Sequence, residues 1–153
     1  MHTMMNTADY EQMLTRIHAL QLDDRALWGR MTVNEALCHV TDVFRMAFGT
    51  IKTPDHSNAF TRQVLKRLVL LGLPSPRGKV PTSPQLDQSQ GKGTRPTTLE
   101  QDKKLFQEQM AEFLRKDATF TFQSHPIFGA LTKTEWGRLL FLHTNHHLTQ
   151  FGR

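Results

Sequence analysis

The chain has one cysteine, Cys38, and one tyrosine among 153 residues. A lone thiol makes no internal bridge, so the fold is not a disulfide scaffold, and this usage fits a reducing cytoplasm. No apolar run approaches the ~20 residues that span a bilayer, and the opening MHTMMNTADYEQ lacks the apolar core of a signal peptide. A cytoplasmic protein with no membrane partner is expected. Also missing are a Gly-rich phosphate loop, a G-x-S-x-G nucleophile elbow and the H-E-x-x-H of zinc proteases. No paired carboxylates project from the predicted core faces, which argues against a di-iron bundle. The formal charge is +5. The excess is scattered through Arg62, Lys66, Arg67, Arg77, Lys79, Lys92 and Arg95, with no interleaved aromatics and no binding motif. This reads as a solvated basic surface, with no nucleic acid as partner.

At this length the chain is expected to be one domain, residues 1–153, that buries roughly 70% of its unfolded surface. Apolar residues recur at helical spacing in successive stretches. Residues 7–21 place Tyr10, Met13, Leu14 and Ile17 on one face. A second helix opens at Thr32 with a capping box to Glu35 and ends at Gly49. Its stripe is Val33, Ala36, Leu37, Val40, Phe44, Ala47 and Phe48, with His39 at the edge. Residues 58–72 form a further helix that becomes apolar all round near Leu68–Leu73, the kind of surface a second copy of the chain would cover. Residues 73–96 then hold five prolines and three glycines, too many for a helix or strand interior. Loops of this length inside compact domains are commonly functional lids or disordered linkers. Thr97 with Glu100 gives another capping box, for a helix to about Lys116 that buries Leu99, Phe106, Met110, Phe113 and Leu114. Residues 118–130 read as an extended connector. Amphipathic helices without a credible sheet predict an all-α fold, a four-helix bundle with the Pro/Gly-rich loop between its middle helices.

The last stretch, LTKTEWGRLLFLHTNHHLTQFGR (131–153), carries the chemistry. Thr132 and Glu135 cap a helix on which Trp136, Leu139, Leu140, His143, His147, Gln150 and Phe151 share one face. Two histidines therefore occupy the centre of an apolar stripe four residues apart, where their rings can reach one point. Buried imidazoles need partners, and a divalent cation serves several at once. Adding His39 from the second helix gives three histidine ligands with coordination positions left open, as in a catalytic site. Half-buried histidines bonded to bundle neighbours are the alternative. All-histidine ligation suits zinc, nickel or iron. His146 lies about 60° off the stripe and belongs at the rim. Gln150, one turn past His147, faces the same interior and either binds a metal-bound water or makes an ordinary bundle hydrogen bond. His125, before Pro126, either borders the mouth or is an exposed loop residue. Cys38 points away from His39 and reads as a buried, inert thiol.

These residues resemble the DinB-like superfamily, which contains the bacillithiol transferase-like proteins. WGRMTVNEALCHV, with His39, looks like that superfamily's tryptophan, cap and histidine run. HTNHHLTQ, with His143, His147 and Gln150, looks like its closing H-x-x-x-H-x-x-Q. HPIFGALTKTEWGRLL and HHLTQFG look still more like one branch of it. The resemblance runs from about Leu27 to Gly152. It implies a metal-binding four-helix bundle of the DinB-like type and, as activity, metal-dependent transfer of a low-molecular-weight thiol to a small electrophilic substrate. Gln150 and His146 would then lie against the cofactor. Many members have Arg-Gly after the last histidine, where this chain has Leu148 and Thr149. Two other readings stand beside this one: a non-catalytic, stress-related bundle, and metal-assisted hydrolysis with His146 or His125 as base.

Overall fold

Threonines start three of the helices because a threonine hydroxyl accepts a hydrogen bond from an N–H that has no intrahelical partner. The computed structural model describes residues 1–74 and 82–153. In chain order the helices are α1 (Thr7–His18), α2 (Val33–Phe48), α3 (Lys66–Leu70), α4 (Leu99–Arg115) and α5 (Lys133–Gln150), and among the described residues there is no strand. The fold is all-α. Both expected capping boxes, Thr32 with Glu35 and Thr132 with Glu135, are formed. The third is not: α4 is capped by Thr98, whose side chain accepts from Gln101 N–H. Thr97 instead directs its hydroxyl and backbone N–H at the Asp102 carboxylate, which Asn34 also reaches from α2.

The core forms around α2, which packs against both α4 and α5, while α1 packs against α4 and α5 in turn. Phe44 is 0% exposed and meets the rings of Phe106 and Phe113 edge-on, with centroids 5.7 Å and 6.2 Å away. Trp136 and Leu140 of α5 are fully buried as well. Of the predicted α4 face, Phe106, Met110 and Phe113 are buried, but Leu114 is exposed, since it points about 100° away from Phe113, which meets α2. The helix predicted over 58–72 is helical over 59–70 and contains a π-turn, Thr61–Leu65. Leu65, Val69 and Leu70 pack on the core, whereas Phe60, Val64, Leu68 and Leu71 leave an apolar stripe exposed.

The Pro/Gly-rich loop is better built than its composition suggests. Its residues 75–81 lie outside the described residues. Beyond them, two short 3-10 turns, Pro84–Leu86 and Gln88–Gln90, lie against α2, and Leu86, Asp87 and Gln88 are buried. Residues 118–130 are the expected connector, closed by a single bridge between His125 and Gly129. Among the described residues no helix is long and apolar enough to cross a membrane.

Candidate metal centre

His39 stands in the middle of α2, where both flanking turns are buried, and is itself 5% exposed. His143 and His147 are stacked one turn apart on the facing side of α5 and are half-buried. The three rings form a near-equilateral triangle, with centroids 5.0 Å, 4.8 Å and 4.8 Å apart. One ligand nitrogen from each lies within 4.8 Å of the others. His39 Nε2 and His143 Nε2 are 3.2 Å apart. Two metal–nitrogen bonds of about 2.1 Å at a tetrahedral angle would put their nitrogens about 3.4 Å apart, so this pair already has the required spacing. The donor set fits a borderline cation such as zinc, nickel or iron.

The outer nitrogens explain why the inner ones converge. His39 Nδ1 lies 2.8 Å from the Leu86 carbonyl oxygen, which can only accept. The proton of neutral His39 is therefore on Nδ1, and Nε2 presents its lone pair to the triangle. Gln150 performs the same task for His147. Its Nε2 donates to the Trp28 carbonyl at 2.6 Å, which turns its Oε1 toward His147 Nδ1 at 2.9 Å. In that contact neutral His147 donates its Nδ1–H to Oε1, which frees Nε2. Metal-bound histidines are commonly held this way, by a carbonyl on the far nitrogen. Gly29 leaves room for the Gln150 contact. Its φ is +80°, and a Cβ there would sit 2.6 Å from Gln150 Nε2.

Burial sets the charge state. Desolvation holds all three imidazoles below the usual histidine range, His143 well below it and His147 down to about 3. Neighbouring histidines lower them further, His146 in each case and the triangle partners for His143 and His147, since a second proton there would face the first. For His39 the Leu86 carbonyl and the Asp42 and Asp87 carboxylates oppose part of this. Three neutral rings are what a cation needs from the site.

The other sequence candidates fall in different places. His146 is not part of the triangle; its ring stands edge-on to Trp28 at 5.6 Å and to His147 at 5.3 Å, at the rim. Gln150 is 4% exposed and grips His147 rather than reaching the centre of the triangle. His125 is not an exposed loop residue. It stacks on Phe128 at 4.6 Å, close to Trp136, and desolvation pushes it down to about 4. Its Nδ1 accepts from the N–H groups of Ile127 and Phe128, so its proton is on Nε2 and no lone pair remains for a general base. Cys38 is 1% exposed and its thiol is pushed up to about 12, first by burial and then by Asp102 and Asp42. It is an inert core residue, as expected.

Sequence reasoning missed Leu86, Asp42 and Gly29. Leu86 contributes a backbone atom and leaves no signal. Asp42 did leave one, as a carboxylate three residues after His39 in a largely apolar helix.

No curated protein and no solved structure matches the chain. A family model does, over residues 2–153, and its description is "Protein of unknown function (DUF1569)". Matched over this whole span, the chain belongs to the DUF1569 family.

Proposed function

We propose that this protein is a metal-dependent enzyme in which His39, His143 and His147 hold one divalent cation, zinc, nickel or iron. We further read α1, α2, α4 and α5 as a four-helix bundle of the DinB-like type. One observation carries the reading: two of three clustered imidazoles, on different helices, each donate their outer N–H to a carbonyl oxygen, which leaves the other nitrogen's lone pair available to a shared cation. Core histidines that merely fill space have no reason to share that arrangement.

A bound cation supplies Lewis acidity, which lowers the pKa of a water or thiol in contact with it. The chain's own residues do the rest. Leu86 and Gln150 orient the ligands. Trp28 and His146, edge-on to one another beside His147, would wall one side of the cation. Three protein ligands leave positions open for a small-molecule substrate. We read the reaction as transfer of a low-molecular-weight thiol to a small electrophile. An anionic thiol meets no cation at the place where many DinB-like proteins carry Arg-Gly, because Leu148 is buried in the core. The thiol class accepted here is therefore expected to be weakly charged.

Elemental analysis of the purified protein, before and after chelator, tests the reading together with cobalt substitution. About one cation per chain and a cobalt visible spectrum of nitrogen ligation, both abolished in His147→Ala, are expected. A protein without metal that also gains no thermal stability from added zinc, nickel or iron would overturn it.

A further inference from the structure

A carboxylate excluded from water is costly unless it is met by donors on all sides. The Asp42 side chain is fully buried, one turn beyond His39, and its donors come almost entirely from the loop that crosses α2. Its Oδ2 accepts from Gln88 Nε2 and from the Thr94 backbone N–H, each at 2.7 Å. Its Oδ1 accepts from the Thr94 hydroxyl at 2.6 Å and from Arg45 Nη1 at 3.3 Å. Arg45 in turn donates to the same Thr94 hydroxyl. Gly93 makes the approach possible: φ is +67°, and a Cβ there would lie 2.4 Å from Gln88 Nε2 and 2.7 Å from Asp42 Oδ2.

Between its two anchor points the loop is braced internally. Lys92 N–H donates to the Asp87 carbonyl and Gly91 N–H to that of Gln88, while the Asp87 carboxylate accepts from Ser89 and Gln90. Fixing residues 88 and 94 therefore fixes residue 86, whose carbonyl sets the proton and the orientation of His39.

We infer that Asp42 is a positioning residue, a latch that uses Gln88, Gly93 and Thr94 to hold Leu86 over His39, so that the loop sets the affinity of the three-histidine site. This rests on the reading that the triangle holds a cation, and it assigns the loop a definite role: opening the latch would release His39 to rotate. The carboxylate does not touch the cation. It acts through the Leu86 carbonyl.

The test uses the full chain with Asp42→Asn, which turns an amide donor toward groups that already donate, and Thr94→Val, which keeps the shape and deletes the hydroxyl. Asn34→Ala is the control, since it breaks the buried bond from the same helix to Asp102 at 2.7 Å and a longer one to the Thr97 carbonyl at 3.4 Å, and touches neither Asp42, nor Gln88, Gly93 and Thr94, nor the histidines. Cobalt affinity is read by competition with a chromophoric chelator. The His39 tautomer is read in metal-free protein by long-range nitrogen–proton correlation. Both latch variants should lose ~10- to 100-fold in affinity, and the fixed Nδ1–H form of His39 should give way to a tautomer mixture. Asn34→Ala should keep both. Affinity unchanged in the latch variants, or lost equally in the control, would overturn the inference. Should Asp42→Asn not fold, Thr94→Val decides alone. A wild type that binds no cobalt would sink the metal reading, and the metal-free tautomers would still judge the latch: an Nδ1–H form that persists in both variants refutes it.

Discussion

Four half-buried or buried histidines held neutral should make the metal-free chain unusually sensitive to mild acid. An imidazole whose folded pKa lies below its unfolded value, about 6.5, takes up its proton more readily in the unfolded chain. Its contribution is then complete above about pH 6.5 and is lost as pH falls toward the folded value. His147 titrates at about 3 and His125 at about 4 in the folded protein. Each costs about 0.8 kcal/mol of stability at pH 6 and about 2 kcal/mol at pH 5. Together they remove about 4 kcal/mol at pH 5, and His39 and His143 act in the same direction. For a domain of this size that is on the order of 10 °C in melting temperature. The carboxylates held below their usual range, such as Asp24 and Glu112, lose their contribution only below about pH 4.5, so the two windows separate. The assay is urea unfolding in the presence of chelator at pH 7.5, 6 and 5, for wild type and His147→Ala. The variant should lose about 2 kcal/mol less between pH 7.5 and 5 than wild type. Metal at about 100 times its Kd should add about 2.7 kcal/mol at pH 7.5, and less in acid because protons compete for the same nitrogens. Equal pH dependence in the two proteins would show that His147 is not buried neutral.

Gly29→Ala places a methyl group 2.6 Å from Gln150 Nε2 and should lower metal affinity ~10-fold by releasing His147, measured by chelator competition; an unchanged affinity would remove Gln150 from the site. Phe44→Ala, at the fully buried centre of the α2–α4 contact, should cost about 3–5 kcal/mol in urea unfolding while leaving metal stoichiometry intact in the folded fraction. Cys38, buried and with its thiol pushed up to about 12, should resist a soluble thiol reagent in native protein at pH 7.5 and react on unfolding. Rapid native labelling would mean that α2 opens far more readily than its packing implies.

What could be read in advance follows from how local each cause is. The i, i+4 histidines and the capping boxes at Thr32 and Thr132 depend on residues within one or two turns, and the helices realise them as the spacing dictates. The α4 cap depends on more than its own turn. Thr97 and Thr98 are equally good caps in sequence, and the choice falls to Thr98 because Asp102, held by Asn34 of α2, takes the hydroxyl and N–H of Thr97. His125 reads as a loop histidine until Phe128 and Trp136 close around it. The outer contacts of the candidate centre are least legible in sequence, for the same reason. A glutamine one turn past His147 can be placed on the inner face from periodicity, but which end of its amide meets the imidazole is decided by the Trp28 carbonyl, 122 residues away in sequence. His39 likewise owes its orientation to the backbone of Leu86, in a loop with no period to read. The candidate ligands are thus written in side-chain spacing, while the protons that would make them ligands are set, directly at His39 and through Gln150 at His147, by main-chain carbonyls whose positions exist only once the chain has folded.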